Sequence, residues 1–310
     1  MSIIEQAAKR LEELDRAGVG LPWKVVGSGD RSLPDGAARQ RPSRLSEAPE
    51  VARPAPVPAV DEGGRIDVVL DIEGLQQAGE LVPLHTQSVQ AEELRSIKRP
   101  LLKNARSSDA AAQRLPLIMV TSALPAEGKT FFSINLAMSI ASEIDLSVLL
   151  VDADVLRQHA MELLGVGPGP GLLDLLSDPT LALDDVVQRT NVPKLSVLRA
   201  GHRQNLSTEL LASSAMDRLV HRLANDHPRQ VVVFDAPPLL ATNQAKVLAA
   251  HLGQVVVLVE AARTQRHLVR QAFAALEQCP IVMSVLNKSD ERASGEGYGY
   301  GYGYGYGHDA

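Results

Sequence analysis

Thr121-Ser122-Ala123-Leu124-Pro125-Ala126-Glu127-Gly128-Lys129-Thr130 lies between an apolar run, Leu117–Thr121, and a segment of helical spacing that starts at Lys129. The run reads as a strand and the segment as a helix. A strand, a glycine-bearing turn, a Lys-Thr pair and a helix form the context that a phosphate-binding loop requires. Backbone N–H groups of the loop and of the helix start can point at phosphate oxygens. Lys129 supplies a compact positive charge for the β and γ phosphates, and the Thr130 hydroxyl can ligate Mg²⁺. Ala123 stands where such loops usually begin with glycine. Ala123, Leu124, Pro125, Ala126, Glu127, Gly128, Lys129, Thr130 and the adjoining Phe131 are the expected nucleotide-binding stretch.

Two further strands bring carboxylates. Val148–Asp152 continues through Ala153 to Asp154, and Val231–Asp235 is followed by Ala236-Pro237-Pro238. Acidic residues at the ends of parallel strands sit where open α/β sheets bind ligands. A single strand-end aspartate reads more simply as a helix cap. Two such strands beside a phosphate loop point to nucleotide with Mg²⁺, which keeps waters and needs only one or two carboxylates. Thr130, Asp152 and Asp235 are the metal-binding candidates.

Outward from these motifs, strands and helices alternate. Strands are expected at Ile66–Ile72, Leu195–Arg199, Val255–Glu260 and Ile281–Asn287, besides the three already named. Helices are expected at Ala91–Arg114 (interrupted near Pro100), Thr208–Asn225, Thr242–His251 and Thr264–Cys279. The strands are rich in Val, Ile and Leu, as in parallel strands covered on both faces. The fold class is α/β, a doubly wound, mostly parallel sheet.

Composition excludes several functions. The 310 residues carry a formal net charge of −6, which gives no electrostatic reason for nucleic acid as a partner. One cysteine, Cys279, rules out a disulfide framework and a cysteine-rich zinc site and reads as a packing residue. The eight histidines show no metal spacing. Apolar runs are strand-sized, far below the roughly 20 residues of a spanning helix. The start has no apolar stretch of signal-peptide length, so a cytoplasmic protein is expected.

Four regions are expected. Residues 1–18 form an amphipathic helix, packed on its own domain or docking a partner. Residues 19–64, rich in Pro, Gly, Ser and Arg, form a disordered linker. Residues 65–290 form the nucleotide-binding domain. Residues 291–310 form a flexible tail. All five tyrosines of the chain, Tyr298, Tyr300, Tyr302, Tyr304 and Tyr306, alternate with glycine in that tail.

In these residues the chain resembles the bacterial tyrosine kinases, P-loop autokinases of exopolysaccharide and capsule synthesis. Ala123–Thr130 matches their Walker A, Val148–Asp154 their acidic Walker A′, Val231–Asp235 their Walker B, and Tyr298–Tyr306 their tyrosine cluster. The exosortase-associated branch is closest, on Glu92–Leu102, Ala200–Arg203 and Glu209–Ser213. The resemblance implies a P-loop NTPase with deviant Walker motifs that uses ATP and Mg²⁺ to phosphorylate its own tail tyrosines. It implies Lys129, Asp152 and Asp154 as catalytic residues, with Asp152 or Asp154 accepting the phenol proton. Glu92, Arg95 and Lys98 occupy the family's Glu-x-x-Arg-x-x-Arg motif of ring-like self-association, with Lys98 in place of the final arginine, and their spacing of three puts all three on one helical face. Where the family has an arginine two residues after the second aspartate of Walker A′, this chain has Leu156, and Arg157 follows. The partners implied are a membrane-embedded chain-length determinant or co-polymerase that recruits the enzyme to the inner membrane face, and a tyrosine phosphatase.

Asn287-Lys288-Ser289-Asp290 looks like a guanine-reading signature, but in a kinase of this type Asn287 is expected at the nucleotide base. The competing reading is a Min- or Par-type ATPase switch without kinase activity. Those proteins carry a signature lysine at the position of Leu124 and lack a tyrosine tail. A structural partner of an export complex with a degenerate loop is a third reading, supported by Ala123 alone.

Overall fold

The computed structural model describes residues 66–84, 88–106 and 114–289. The amphipathic start, the linker, Asp290 and the tail tyrosines lie outside the described residues.

Among the described residues seven strands form one sheet: β1 (Leu117–Ser122), β2 (Ser147–Asp152), β3 (Gln188–Arg189), β4 (Leu195–Leu198), β5 (Gln230–Asp235), β6 (Gln254–Glu260) and β7 (Ile281–Asn287). Their order is β3-β4-β2-β5-β1-β6-β7. Every pairing is parallel except β3 with β4. From β1 the chain moves outward through β2 to β4, returns to insert β5 beside β1, then crosses to β6 and β7. The direction reverses about β1, and crevices at such reversals lie beyond the carboxyl ends of the strands.

Side chains of a strand alternate between faces. Ile118, Val120, Val148, Leu150, Val231, Val233 and Val256 enter one core, beneath α2 (Val89–Ala105) and α3 (Lys129–Ala141). Leu117, Met119, Leu149, Val151, Val232, Phe234 and Val255 enter the other, beneath α8 (Ser214–Asn225), α9 (Asn243–Ala249) and α10 (Arg266–Ala274). Both faces are therefore covered, as near-continuous apolar strands require. The edge strand β7 departs from that rule, since it is half-buried and its Leu286 is 64% exposed.

Several expectations are corrected. Ile66–Ile72 is not a strand. Only Val68 makes a bridge, to Thr190, and Asp71 then caps α1 (Ile72–Gln77) by accepting from the Gly74 N–H at 2.9 Å. Helix α2 runs unbroken through Pro100 and ends at Ala105. Proline removes the hydrogen bond to the carbonyl four residues earlier. Here that carbonyl belongs to Ser96, and both residues lie on the exposed side. The expected helix Thr208–Asn225 is two, α7 (Ser207–Leu211) and α8, because Ser213 caps the second through the Met216 N–H. Between β2 and β4 no element is expected. The chain there forms α4 (His159–Leu163), α5 (Leu172–Ser177), α6 (Leu183–Val186) and β3, all too short for a clear period.

Two buried polar side chains fix α3 against its surroundings. Asn135 accepts from the Val82 N–H at 2.7 Å and donates to the carbonyls of Glu80 and Phe131. Lys98, only 6% exposed, reaches from α2 to the Ser139 carbonyl at 2.8 Å and to the Glu143 carboxylate at 2.6 Å.

Candidate active site

Gly128 opens α3 at φ 95°, a left-handed conformation that glycine adopts without cost. A Cβ there would meet Asn287 Nδ2 at 2.2 Å. The preceding loop is strapped from two sides. The Glu127 carboxylate, buried, accepts from the Leu124 N–H at 2.7 Å and from the Thr264 hydroxyl. From the end of β7, Asn287 donates to the Glu127 carbonyl at 2.8 Å, and Lys288 donates to the Ala126 carbonyl at 2.8 Å. In a trans peptide the N–H points opposite to the C=O. Carbonyls pulled toward β7 therefore turn the N–H groups of Glu127 and Gly128 the other way, into the loop. Pro125 and Ala126 are exposed, Leu124 and Phe131 half-buried.

Ala123 is fully buried, with its methyl in the second core. The substitution for glycine is absorbed by packing and leaves the loop formed.

The three carboxylates converge on the start of α3. Asp152 and Asp235 end β2 and β5 and are register partners. Asp235 accepts from the hydroxyls of Thr130 at 2.8 Å and Ser133 at 3.0 Å. Asp152 accepts from the N–H groups of Asp154 at 3.1 Å and Met161 at 3.4 Å. Lys129 makes a 2.9 Å ion pair with Asp154, whose side chain is 2% exposed. Ser133 and the straps Thr264 and Lys288 were missed in the sequence. Ser133 was findable, since it stands one helical turn after Lys129. Thr264 and Lys288 carried no local signal.

Burial pushes the Asp152 carboxyl up to about 8, with the Asp235 charge adding to the shift. Burial also raises Asp235, against the stabilising effects of Lys129, Thr130 and Ser133. Two buried carboxylates that resist ionising together suit a divalent cation, which favours both charged forms. Among the described residues no three His, Cys, Asp or Glu side chains gather as a ligand set. Two carboxylates and the Thr130 hydroxyl thus fit Mg²⁺ held largely through phosphate and water rather than a protein cage.

A pH dependence follows. In the unfolded chain Asp152 titrates near 3.8 and in the folded chain near 8. The native state binds more protons in that window, so its stability falls as pH rises from about 4 to 8. Asp152→Asn is expected to flatten this slope and to raise the melting temperature of the ligand-free protein at pH 8 by a few degrees, about 1–3 kcal/mol. Thermal melts at pH 5 and pH 8 check it. A wild-type slope retained by the variant would reject the assignment.

The self-association residues separate. Glu92 and Arg95 form an ion pair on the outer side of α2, and Arg95 also donates to the Leu84 carbonyl at 2.8 Å. Lys98 is turned inward, which corrects the expectation of one shared face. At about 100° per residue, six positions carry a side chain about 120° round the helix. Cys279, half-buried with its thiol 3.3 Å from the Ala249 carbonyl, fits the packing role.

Comparison with protein-family models gives no match. Among solved structures, the kinase domain of the Escherichia coli tyrosine kinase ETK is 31% identical, with a TM-score of 0.57, over 68% of this chain and 80% of that one. The VpsO kinase domain is 30% identical, with a TM-score of 0.51, over 66% of this chain and 100% of that one. The chain belongs to the bacterial tyrosine kinases. A tyrosine-protein kinase, ptk, of Acinetobacter johnsonii is 31% identical over 218 residues, 68% of this chain. The match spans only 28% of that relative's length. The fold of this kinase-family chain is that of a P-loop NTPase, mixed α/β with a mostly parallel sheet. Among the described residues no helix is long and apolar enough to cross a membrane.

Proposed function

We propose that the chain is an ATP-dependent protein-tyrosine autokinase that phosphorylates Tyr298, Tyr300, Tyr302, Tyr304 and Tyr306 and thereby regulates exopolysaccharide synthesis and export. The observation that carries this reading is the convergence of Lys129, Thr130, Asp152, Asp154 and Asp235 on the opening of α3. Residues 65–290 are the kinase domain of this proposal, 1–18 a helix, 19–64 a linker and 291–310 the substrate tail.

Thr130, Asp152 and Asp235 would hold Mg²⁺, which when bound neutralises phosphate charge. Lys129, released from Asp154, swings to the β and γ phosphates and offsets the charge that develops there. Its departure leaves Asp154 uncovered beside the site. Asp154 then keeps one contact, accepting the Arg157 N–H on Oδ1 at 3.3 Å, and its Oδ2, released by Lys129, orients the incoming phenol and accepts its proton, while Asp152 stays held by two backbone N–H groups. The γ-phosphoryl passes from ATP to the phenol oxygen, the phenol proton passes to the carboxylate, and ADP leaves. Asn287 and Lys288 keep the loop shaped, and Asn287 stands near where the base would lie.

We further propose a cytoplasmic protein recruited to the inner membrane face by a co-polymerase, self-associating through Glu92 and Arg95, with Lys98 bracing α2 from within, and reset by a tyrosine phosphatase. A Min- or Par-type switch is disfavoured by Leu124 at the position of the signature lysine.

Incubation with Mg·ATP should place phosphate on the tail tyrosines, read by mass spectrometry. Mixing an inactive Lys129→Met chain with an active chain lacking residues 298–310 should label the inactive one, and wild-type particles should shrink in light scattering after ATP. Nucleotide hydrolysis with no phosphotyrosine would move the protein to the switch class. No label on the inactive chain would reject transfer between copies.

A further inference from the structure

Strand β7 is the outer strand of the sheet, and among the described residues no strand pairs with its far edge. Beside it lies a groove of about 1120 Å³. Ile97, Phe131, Phe132 and Val285 line it with apolar surface, and Glu92 and Glu93 stand at its α2 wall. An open edge next to an apolar groove is a ready template for an added strand.

The chain itself holds a segment of matching chemistry. Gly297–Gly307 alternates glycine and tyrosine without a break. A strand has a period of two, so such a segment added to β7 would put every phenol on one side and every glycine on the other. Tyrosine offers an apolar ring for Phe131 and Phe132 and a hydroxyl that a glutamate at the rim can accept. Only seven residues, 290–296, separate Ser289 from Gly297, and they include Gly295. From the last residue of β7, Asn287, the connection is nine residues, 288–296, longer than a tight hairpin loop but ample to turn back across the roughly 4.8 Å between neighbouring strands.

We propose that the segment Gly297–Gly307 folds back on its own β7 as an eighth, antiparallel strand, with its tyrosines in the groove between β7 and α2. This deepens the autokinase reading by giving the unmodified tail a resting place. The docking needs no catalysis. A phosphorylated tyrosine would bring about −1.5 to −2 charges toward Glu92 and Glu93, which favours the unmodified tail as occupant.

The test uses the full Lys129→Met chain grown with fluorotyrosine. Because every tyrosine lies in the tail, the fluorine spectrum reports on that segment alone. The signals should be shifted and broadened relative to a free peptide of residues 290–310, and Ile97→Glu should return them to the free positions. In hydrogen exchange, deleting residues 297–310 should speed the outward β7 amides by about tenfold or more. Both effects should be independent of protein concentration. Free-peptide signals in the full chain, or β7 exchange unchanged by the deletion, would overturn the proposal. Effects lost on dilution would assign the groove to the tail of a second copy and overturn the hairpin. Since the chain used is inactive by design, a failed kinase reading leaves this outcome legible.

Discussion

Lys129→Met is expected to lower autophosphorylation by roughly a hundredfold or more, since it removes a charge aimed at the phosphates in the transition state. The geometry adds a second effect. Lys129 is the ion-pair partner of Asp154, and that carboxylate is buried. Removing one member of a buried pair leaves the other uncompensated, at a cost of about 3 kcal/mol. Lys129→Met should therefore melt earlier as well as fail in catalysis. The double variant Lys129→Met/Asp154→Asn separates the two effects. It should recover most of the lost melting temperature and none of the activity. A double variant as unstable as the single would place the stability effect elsewhere, and a folded single variant with wild-type rates would sink the role of Lys129.

Asp235→Asn is expected to act in opposite directions on activity and stability. The amide oxygen can still accept from Thr130 or Ser133, so the strand end should keep its shape. What is lost is a charge beside Asp152. In the ligand-free protein that relieves burial and repulsion, and stability near neutral pH should rise. In turnover it removes half of the carboxylate pair proposed for Mg²⁺, and the Mg²⁺-dependent rate should fall about a hundredfold. Asp290→Asn should do much less, and ATP should outperform GTP as donor. A series in which Asp290 is the most damaging position would favour a guanine-reading enzyme. An Asp235 variant that is both less active and less stable would indicate a structural role instead.

The loop, the two acidic strands and the alternation of elements were legible because each is local. Gly128-Lys129-Thr130 sits at a strand-to-helix junction, and an apolar run ending in Asp is read within seven residues. The region 159–189 was not legible, because four short elements leave no period to detect. Asn287 was found for a reason that the geometry modifies. Its amide donates to the Glu127 carbonyl and so shapes the phosphate loop from a strand 160 residues away.

The sequence by itself determined the class of the sheet and the phosphate-loop chemistry, since periodicity and short-range residue order encode both. Tertiary structure alone decided which groups face one another. It paired Lys129 with Asp154, set Asp152 beside Asp235 by strand register, and turned Lys98 inward while Glu92 and Arg95 stayed outside. The physical reason is that charge pairing and burial depend on distances across the sheet and between helices. Those distances follow from the strand order β2-β5-β1, which inserts β5 between two strands that precede it in the chain.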